Sequence, residues 1–283
     1  MAYNELEQRG TSDFPVEFFH IDEHHPRYHM SAHWHSEIEL VRVLEGHLEI
    51  KLNNNEYLAG PGDIVFVNSE TLHQAIPDEC VYECIVFHIN FLYNDTLSCR
   101  YFIESILSGG NVVNEFHPLK NDEFHKAAGD AFHHLSCQSS GYKFKTIAAF
   151  YMLLGIIADE HMYHSTVNDK TLVVDKNIVK LKKVLSYMRE NYNKNITLED
   201  MAKTAGISFK YFGTFFKNMT RKTPIDYLIE YRIEKASRKL LHTDMSVTDI
   251  AYSCGFNDLS YFIKTFKKIN KISPGKFRKK QPK

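Results

Sequence analysis

Two histidines and a glutamate near the N-terminus have the residue types and the spacing of a ligand-binding site. His33 and His35 stand one residue apart in "HWHSEIELVRVLEG", and Glu39 follows four residues after His35. Side chains two residues apart on a β-strand point to the same face, so the two imidazoles would project together. Imidazole nitrogens and carboxylate oxygens bind transition metals such as zinc. The carboxylate of Glu37 has the same strand parity and suits a polyol equally well.

The residues around and after this group alternate between apolar and polar types, which is typical of β-strands. The runs "EIELVRVL", "HLEIKL", "EYL", "DIVFV" and "VYECIVFHI" lie between residues 37 and 89, separated by "EG", "NNN" and "AGPGD". Such closely spaced strands predict a small antiparallel barrel, with a turn at Glu45-Gly46. The barrel would position the two histidines.

This stretch resembles the cupin fold. The resemblance rests on His33-x-His35-x3-Glu39-x6-Gly46, followed by Gly62-Asp63 and His73. In cupin enzymes two histidines, a glutamate and a later histidine bind a metal, and the resemblance places these roles on His33, His35, Glu39 and His73. Asn68 and Glu70 stand where the second cupin motif has proline and glycine, so that motif is degraded.

The charge of the chain is divided between two unlike halves. Residues 1–176 carry 11 Lys/Arg against 26 Asp/Glu, a balance of −15, whereas residues 177–283 carry 23 against 9, a balance of +14. Fifteen of the sixteen histidines lie in the acidic half. A basic half joined to an acidic half predicts a polyanion-binding module attached to a domain with another task.

The basic half contains a repeat with a period near 50 residues. "TLEDMAKTAGISFKYFGTFFKNMTRKTP" (197–224) corresponds to "SVTDIAYSCGFNDLSYFIKTFKKINKISP" (246–274), and both copies have the i, i+3, i+4, i+7 apolar spacing of buried helical faces. Thr197 and Ser246 open capping boxes, while Gly206 and Gly255 stand at the turn between two helices. The outward positions are basic: Lys210, Lys217, Arg221 and Lys222 in one copy, and Lys264, Lys267, Lys268 and Lys271 in the other. The pattern predicts two helix-turn-helix units.

The pattern "ISFKYFGTFFK…TP…YLIEYRIEKASRKLL…SVTDIAYSCGFNDLSYFIKTFKK…SP…FR" resembles the DNA-binding domain of AraC/XylS-family bacterial transcription regulators over about 100 residues. The resemblance implies that the recognition helices present Ser208, Phe209, Lys210, Gly213 and Thr214, then Asp258, Ser260, Ile263 and Lys264, to base edges. Tyr211 and Tyr261 lie near these faces, and Lys217 and Lys267 suit phosphates.

Three positions depart from that family pattern. Arg221 and Lys271 replace glycines just past the recognition helices, where a left-handed cap costs a non-glycine residue about 1 kcal/mol unless Asn270 takes that conformation in the second copy. Gly213 lies in the middle of a helix where a bulkier polar residue is usual. Lys264 replaces a common arginine and loses bidentate guanine recognition.

Three interpretations of the N-terminal site are open. The preferred one is a pocket for a small metabolite, such as a sugar or a derivative, and its residues are His33, His35, Glu37, Glu39 and His73. The second is a divalent metal site in a metal-responsive regulator. The third is a set of hydrogen bonds without a ligand. A metal-dependent cupin enzyme is the least favoured alternative, because an enzyme has no need of a basic helix-turn-helix pair.

The sequence therefore predicts an α+β protein of two domains, not an enzyme, without a resident cofactor other than the open metal alternative. A cupin-like effector-sensing barrel (1–95), a helical dimerisation region (96–164), a linker (165–177) and an all-α double helix-turn-helix domain (178–283) follow in order. Four histidines before the site, among them His24 and His29, form a solvated arm, a first strand or a lid over the barrel mouth.

The expected partners are double-stranded promoter DNA, a small-molecule effector, a second copy of the chain and RNA polymerase. The longest apolar run, residues 147–158, has twelve residues against the roughly 20 of a membrane helix. The N-terminus is charged and lacks the apolar core of a signal peptide. We therefore expect a cytoplasmic activator or repressor that makes no membrane contact.

Overall fold

The computed structural model describes residues 10–11, 13–25, 27–166 and 176–279. The chain forms two compact units. Of the described residues, the N-terminal unit comprises those within 10–23 and 34–166, and the C-terminal unit comprises those within 24–33 and 176–279. The predicted linker falls mainly on residues 167–175, which lie outside the described residues.

A seven-stranded sheet is the main element before residue 120. Its strands are β1 (Val16–Ile21), β2 (Met30–His33), β3 (Ile38–Leu52), β4 (Asn55–Ala59), β5 (Ile64–Val67), β6 (His73–Phe87) and β8 (Phe116–His117). The order is β1-β6-β3-β5-β8, with β2 on β6 and β4 on β3. Neighbours along this order pair antiparallel, as the alternating pattern predicts.

The predicted turn at Glu45-Gly46 is wrong, because this dipeptide lies inside the long strand β3. Val43 pairs with Tyr82 and His47 with Asp78, so both halves of β3 pair with the same strand, and the register shifts between them. Gly46 has a φ of 68°, and a Cβ there would lie 2.2 Å from the carbonyl oxygen of Glu79. The glycine therefore makes a β-bulge that bends the strand and does not make a hairpin.

Helices cover one face of the sheet. They are α1 (Leu97–Leu107), α2 (Glu123–Cys137) and α3 (Tyr142–Asp159). Their buried residues form one core with the sheet, in which the rings of Phe87 and Phe150 stack at 4.2 Å. The region predicted as helical also contains three short strands, β8 and the pair β7 (Asn111–Val113) and β9 (Tyr163–Ser165), each of two or three residues and too short for a periodic signal.

Helix α3 is apolar around most of its circumference and has two kinds of face. Phe150, Leu153 and Ile157 are buried in the core. Phe144 and Met152, in contrast, are 83% and 59% exposed. The described part of the chain thus leaves an apolar face of α3 exposed.

Seven helices make up the rest of the C-terminal unit: α4 (Lys176–Asn191), α5 (Leu198–Ala205), α6 (Phe209–Thr220), α7 (Pro224–His242), α8 (Val247–Ser253), α9 (Leu259–Asn270) and α10 (Pro274–Lys279). The two predicted helix-turn-helix units are α5–α6 and α8–α9. The predicted capping box is confirmed at Thr197, whose Oγ1 accepts from Asp200 N at 3.1 Å while Asp200 Oδ2 accepts from Thr197 N at 3.0 Å.

Both recognition helices end in a left-handed residue that is not glycine. Arg221 has a φ of 60° and Lys271 a φ of 61°. The alternative that Asn270 takes this conformation is wrong, because Asn270 is the last helical residue of α9. Both copies therefore carry the strained cap that the sequence indicated.

Candidate effector site and nucleic-acid interface

The four residues that the cupin resemblance selected come together in space. His33, His35, Glu39 and His73 each place one ligand atom within 4.8 Å of the others. In the described part of the chain, this is the one group of three or more histidine, cysteine, aspartate or glutamate side chains that could hold a metal ion together. His33 ends β2, His35 lies in the connection to β3, Glu39 is the second residue of β3 and His73 begins β6.

The cluster depends on the curvature of the sheet. His73 pairs with Leu52, and Leu52 is thirteen residues from Glu39 along β3, a distance of roughly 43 Å in a straight strand. Nevertheless His73 Nε2 lies 3.1 Å from Glu39 Oε2. The β3–β6 ribbon must therefore bend strongly, and the bulge at Gly46 supplies a point of bending.

Glu39 is the centre of the buried polar group. His35 Nε2 lies 3.2 Å from Glu39 Oε2, the same oxygen that faces His73. His35, Glu39 and His73 are 1%, 3% and 1% exposed. Burial raises the pKa of Glu39, but hydrogen bonds and charge interactions with His35 and His73 outweigh it and hold the pKa of this carboxyl well below its usual range. The site therefore contains a carboxylate.

The other nitrogen of each ring faces a backbone carbonyl. The Nδ1–O distances are 2.8 Å from His33 to Ser31, 3.1 Å from His35 to Glu37 and 2.8 Å from His73 to Thr71. A carbonyl oxygen only accepts hydrogen bonds, so each Nδ1 donates. This is the arrangement by which backbone carbonyls fix the tautomer and orientation of metal-binding histidines, leaving Nε2 to the metal. Sequence reasoning missed these three acceptors, because any residue type supplies a carbonyl.

These contacts fit a divalent metal ion. A neutral imidazole has one N–H, and in His35 and His73 this N–H is on Nδ1. These rings could therefore donate from Nε2 to Glu39 only if both were protonated, and two imidazolium groups would then be buried beside one carboxylate. A divalent ion would instead take the lone pairs of the Nε2 atoms and the carboxylate oxygen together, and its binding would release protons. The residues at the site are therefore suited to hold such an ion.

Glu37 lies beside this cluster. It is buried, and its Oε2 is 3.7 Å from His35 Nδ1, beyond hydrogen-bond distance. The structure thus brings all five residues predicted for effector binding into one region, with Glu37 flanking the four that converge.

The thirteen residues predicted to contact DNA are all exposed. On α6 and its N-cap these are Ser208, Phe209, Lys210, Tyr211, Gly213, Thr214 and Lys217, and on α9 and its N-cap they are Asp258, Ser260, Tyr261, Ile263, Lys264 and Lys267. The opposite faces of the two helices carry buried phenylalanines, among them Phe212 and Phe262. Each helix therefore presents a polar and aromatic face while its apolar side holds the fold together.

Asp258 has a structural role that sequence reasoning missed. It is the N-cap of α9, and its Oδ1 accepts a hydrogen bond from Tyr261 N at 2.5 Å. An N-cap aspartate before a helix is the signal that identifies it.

Gly213 leaves free space on the exposed side of α6. A Cβ added to this residue would meet no heavy atom within 4 Å, apart from the helix's own nearby backbone. This part of the helix surface is therefore accessible.

Each half of the chain matches a known protein family. A helix-turn-helix domain model matches residues 201–280, and an AraC-like ligand-binding domain model matches residues 15–154. The chain belongs to the AraC-type transcription regulators. It is accordingly a DNA-binding regulator of transcription that carries a ligand-binding domain.

Relatives of this AraC-type regulator match along most of their length. An uncharacterized HTH-type transcriptional regulator, YdeC of Bacillus subtilis, is 28% identical over 97% of this chain and 95% of its own. The HTH-type transcriptional activator RhaS of Mannheimia succiniciproducens is 23% identical over 89% of this chain and 91% of its own. The crystal structure of apo ToxT from Vibrio cholerae shares the fold, with a TM-score of 0.50 and 14% identity over 95% of this chain and 98% of that one.

Among the described residues, none of the helices is both long and apolar enough to cross a bilayer.

Proposed function

We propose that this AraC-type regulator senses a divalent transition metal ion, held by His33, His35, Glu39 and His73 in a cupin-like barrel. The observation that carries the proposal is the orientation of the rings. Nδ1 of each histidine is engaged by a backbone carbonyl, and the Nε2 atoms of His35 and His73 converge on one carboxylate oxygen. This geometry supports the metal alternative more strongly than the metabolite interpretation that the residue types alone favour.

The types of donor atom at the site indicate which metal ions it would bind. Three imidazoles and one carboxylate suit zinc and neighbouring first-row ions, whereas magnesium and calcium prefer oxygen ligands. A bound ion would supply positive charge that offsets the negative charge of Glu39. It would also occupy the Nε2 lone pairs that protons would otherwise occupy. The chain's own contribution is to hold the rings by their Nδ1–H bonds and to bury the site.

A small polar metabolite, such as a sugar, is a second candidate effector. Glu37 supports it, because a buried carboxylate beside the cluster has acceptor oxygens for hydroxyl groups. The two candidates differ in what Glu37 does. Glu37→Gln leaves metal binding unchanged if the metal alone is the effector, and weakens binding of a hydroxyl-rich ligand if a metabolite is.

For DNA, we propose that α6 and α9 enter successive major grooves. Helix α7 has 19 residues and a length of about 28 Å, which suits recognition helices one DNA turn apart, near 34 Å. The exposed residues in the N-terminal halves of α6 and α9 would read base edges. Lys217 and Lys267, farther along the helices, would contact phosphates.

We further propose a homodimer that works in the cytoplasm, where promoter DNA is found, with RNA polymerase as a partner and no enzymatic activity. The exposed apolar face of α3, with Phe144 and Met152, is the surface we assign to the dimer. A dimer would present four helix-turn-helix units to paired sites.

The test is elemental analysis of the full chain purified without a histidine tag, together with DNA binding at several salt concentrations. We expect close to one equivalent of metal per chain, lost in His35→Ala, and binding to DNA from its own promoter region that weakens steeply with salt. Protein that carries no metal, and takes up none on dialysis against Zn²⁺, would refute the sensor proposal. Lack of DNA binding at low salt would refute the promoter-binding proposal.

A further inference from the structure

The two recognition helices, α6 and α9, have the same pattern of buried and exposed residues. Each has twelve residues and ends in a left-handed cap. From residue 210 to 219 on α6, every residue is buried, half-buried or exposed in the same way as the residue fifty positions later on α9. The buried residues Phe212 and Phe216 thus correspond to Phe262 and Phe266. Equivalent residues of the two helices therefore lie on equivalent faces.

Each helix exposes a stripe of four residues with the i, i+3, i+4, i+7 spacing of one helical face. On α6 these are Lys210, Gly213, Thr214 and Lys217. On α9 they are Ser260, Ile263, Lys264 and Lys267. Ile263, which is 39% exposed, is the one large apolar side chain among these eight residues. An isoleucine thus lies in the middle of the otherwise polar stripe of α9.

The fold does not need a large side chain at this place in the helix. The equivalent residue of α6 is Gly213, and α6 nevertheless buries the same two phenylalanine positions as α9. A Cβ added to Gly213 would meet no heavy atom within 4 Å, apart from the helix's own nearby backbone, so this side of the helix is open. The apolar side chain of Ile263 is therefore available to a partner outside the chain.

The major groove offers one apolar group that an isoleucine can recognise. The edges of guanine, adenine and cytosine carry hydrogen-bond donors and acceptors, whereas thymine also carries a C5-methyl group. The side chain of Ile263 can neither donate nor accept a hydrogen bond, so it can distinguish bases only by apolar contact and shape. Its neighbours Ser260 and Lys264 can form hydrogen bonds. The chemistry of Ile263 therefore matches thymine.

We propose that Ile263 contacts the C5-methyl group of a thymine and gives α9 a preference for thymine at one base pair. This inference rests on the proposed entry of α6 and α9 into major grooves. α6 has no side chain at the equivalent position, Gly213, so this contact has no counterpart there and the two helices bind unlike base sequences. Ile263 is thus a residue that determines sequence specificity. Burial of one methyl group against it changes affinity about fourfold.

The experiment replaces thymine with uracil, which pairs in the same way but lacks the C5-methyl group. It uses the full chain and a DNA fragment from its own promoter region, in which each thymine in turn is replaced by deoxyuridine, at one fixed salt concentration. At one such position we expect uracil to raise the Kd of the parent chain about fourfold, and that of Ile263→Ser less than about 1.5-fold. On the uracil fragment itself, Ile263→Ser should bind within about twofold of the parent, because the methyl contact is already absent.

Two further variants separate the loss of a methyl contact from a general effect of the substitution. Ile263→Val keeps a branched apolar side chain and should retain a uracil effect of at least about twofold. The matched control is Ile225→Ser, because Ile225 is an isoleucine on α7 that is 40% exposed, against 39% for Ile263. This control should keep the fourfold effect of the parent.

The outcomes distinguish this inference from the proposal on which it rests. Lack of DNA binding by the parent at low salt refutes promoter binding and the role of Ile263 together. Binding without a uracil-sensitive position, or with the same uracil effect in Ile263→Ser as in the parent, refutes the role of Ile263 and leaves DNA binding standing. An equal loss of affinity by Ile263→Ser for thymine and uracil fragments refutes it as well. Loss of the uracil effect in Ile263→Ser, but not in Ile263→Val or Ile225→Ser, supports it.

Discussion

Nε2 of His73 lies 3.1 Å from Oε2 of Glu39. His73 is the first residue of β6 and pairs with Leu52, which is thirteen residues from Glu39 along β3. The contact closes a buried cluster in which one carboxylate serves two imidazoles. We expect this contact to be the part of the site most sensitive to substitution, because both histidines face the same Glu39 oxygen.

Replacing Glu39 should therefore abolish tight metal binding. Glu39→Gln removes the charged ligand, and we expect Zn²⁺ affinity to fall at least about 100-fold, more than the 10- to 100-fold typical of lost outer-sphere partners. Isothermal calorimetry on metal-stripped protein measures this. Glu45→Gln, an exposed position on the same strand, is the control and should bind as the parent does. Equal affinity in Glu39→Gln would contradict the assignment.

The lowered pKa of Glu39 predicts how the metal-free protein responds to acid. A carboxyl whose folded pKa lies below its unfolded value, about 4.3, contributes its full stability above that value and loses it as the pH falls through the folded pKa. We expect Glu39→Gln to lower the free energy of unfolding by about 2 kcal/mol near pH 6, and by progressively less from about pH 4 downward. Urea denaturation from pH 6 to pH 3 tests this, and a difference independent of pH would argue against it.

Glycine at the left-handed caps should stabilise the DNA-binding region. Arg221 and Lys271 both have φ near 60°, a conformation that costs a residue with a Cβ about 1 kcal/mol. Arg221→Gly and Lys271→Gly should each raise the free energy of unfolding by about that amount in urea denaturation. Arg221→Ala keeps the Cβ and should give no such gain. Destabilisation by both glycines would show that the side chains contribute more than the strain costs.

Two exposed lysines should have different effects on DNA binding. Lys264→Ala, in the middle of the second recognition helix, should relax preference at one base position by about 1–3 kcal/mol. Lys217→Ala should weaken binding to all sequences alike and reduce the salt slope by about 1. Binding to a library of single-base variants at two salt concentrations distinguishes them. If both variants had the same sequence preference and the same salt dependence, the assignment of Lys264 to a base and Lys217 to a phosphate would be wrong.

The exposed face of α3 should govern oligomeric state. Phe144→Glu places a charge where 83% of the side chain is exposed, so we expect the fold to change in stability by no more than about 0.5 kcal/mol while the dimer dissociates. Sedimentation velocity measures the result. Lys126→Glu, at an exposed position on α2, should leave the dimer intact. An unchanged dimer in Phe144→Glu would move the interface elsewhere.

Much of the C-terminal half could be predicted from its sequence, because its signals are local. The capping box of Thr197 and Asp200 and the glycine at 206 act within a few residues of one another, and the periodicity of Phe212 and Phe216 specifies which side of α6 is buried. Helical hydrogen bonds span four residues, so such patterns are complete within a short stretch of chain. The same patterns specify the exposed face that carries Lys210 and Lys217.

The sequence alone also determined which residue types were available for a site, namely three histidines and a glutamate. It determined as well the spacing of His33, His35 and Glu39 along the chain. Only the tertiary structure decided that His73 meets Glu39, that Gly46 bends a strand in place of ending it, and that backbone carbonyls turn the Nε2 atoms of His35 and His73 toward one oxygen. The physical reason is distance along the chain. These contacts depend on how a long ribbon curves, which is decided by packing across the whole sheet.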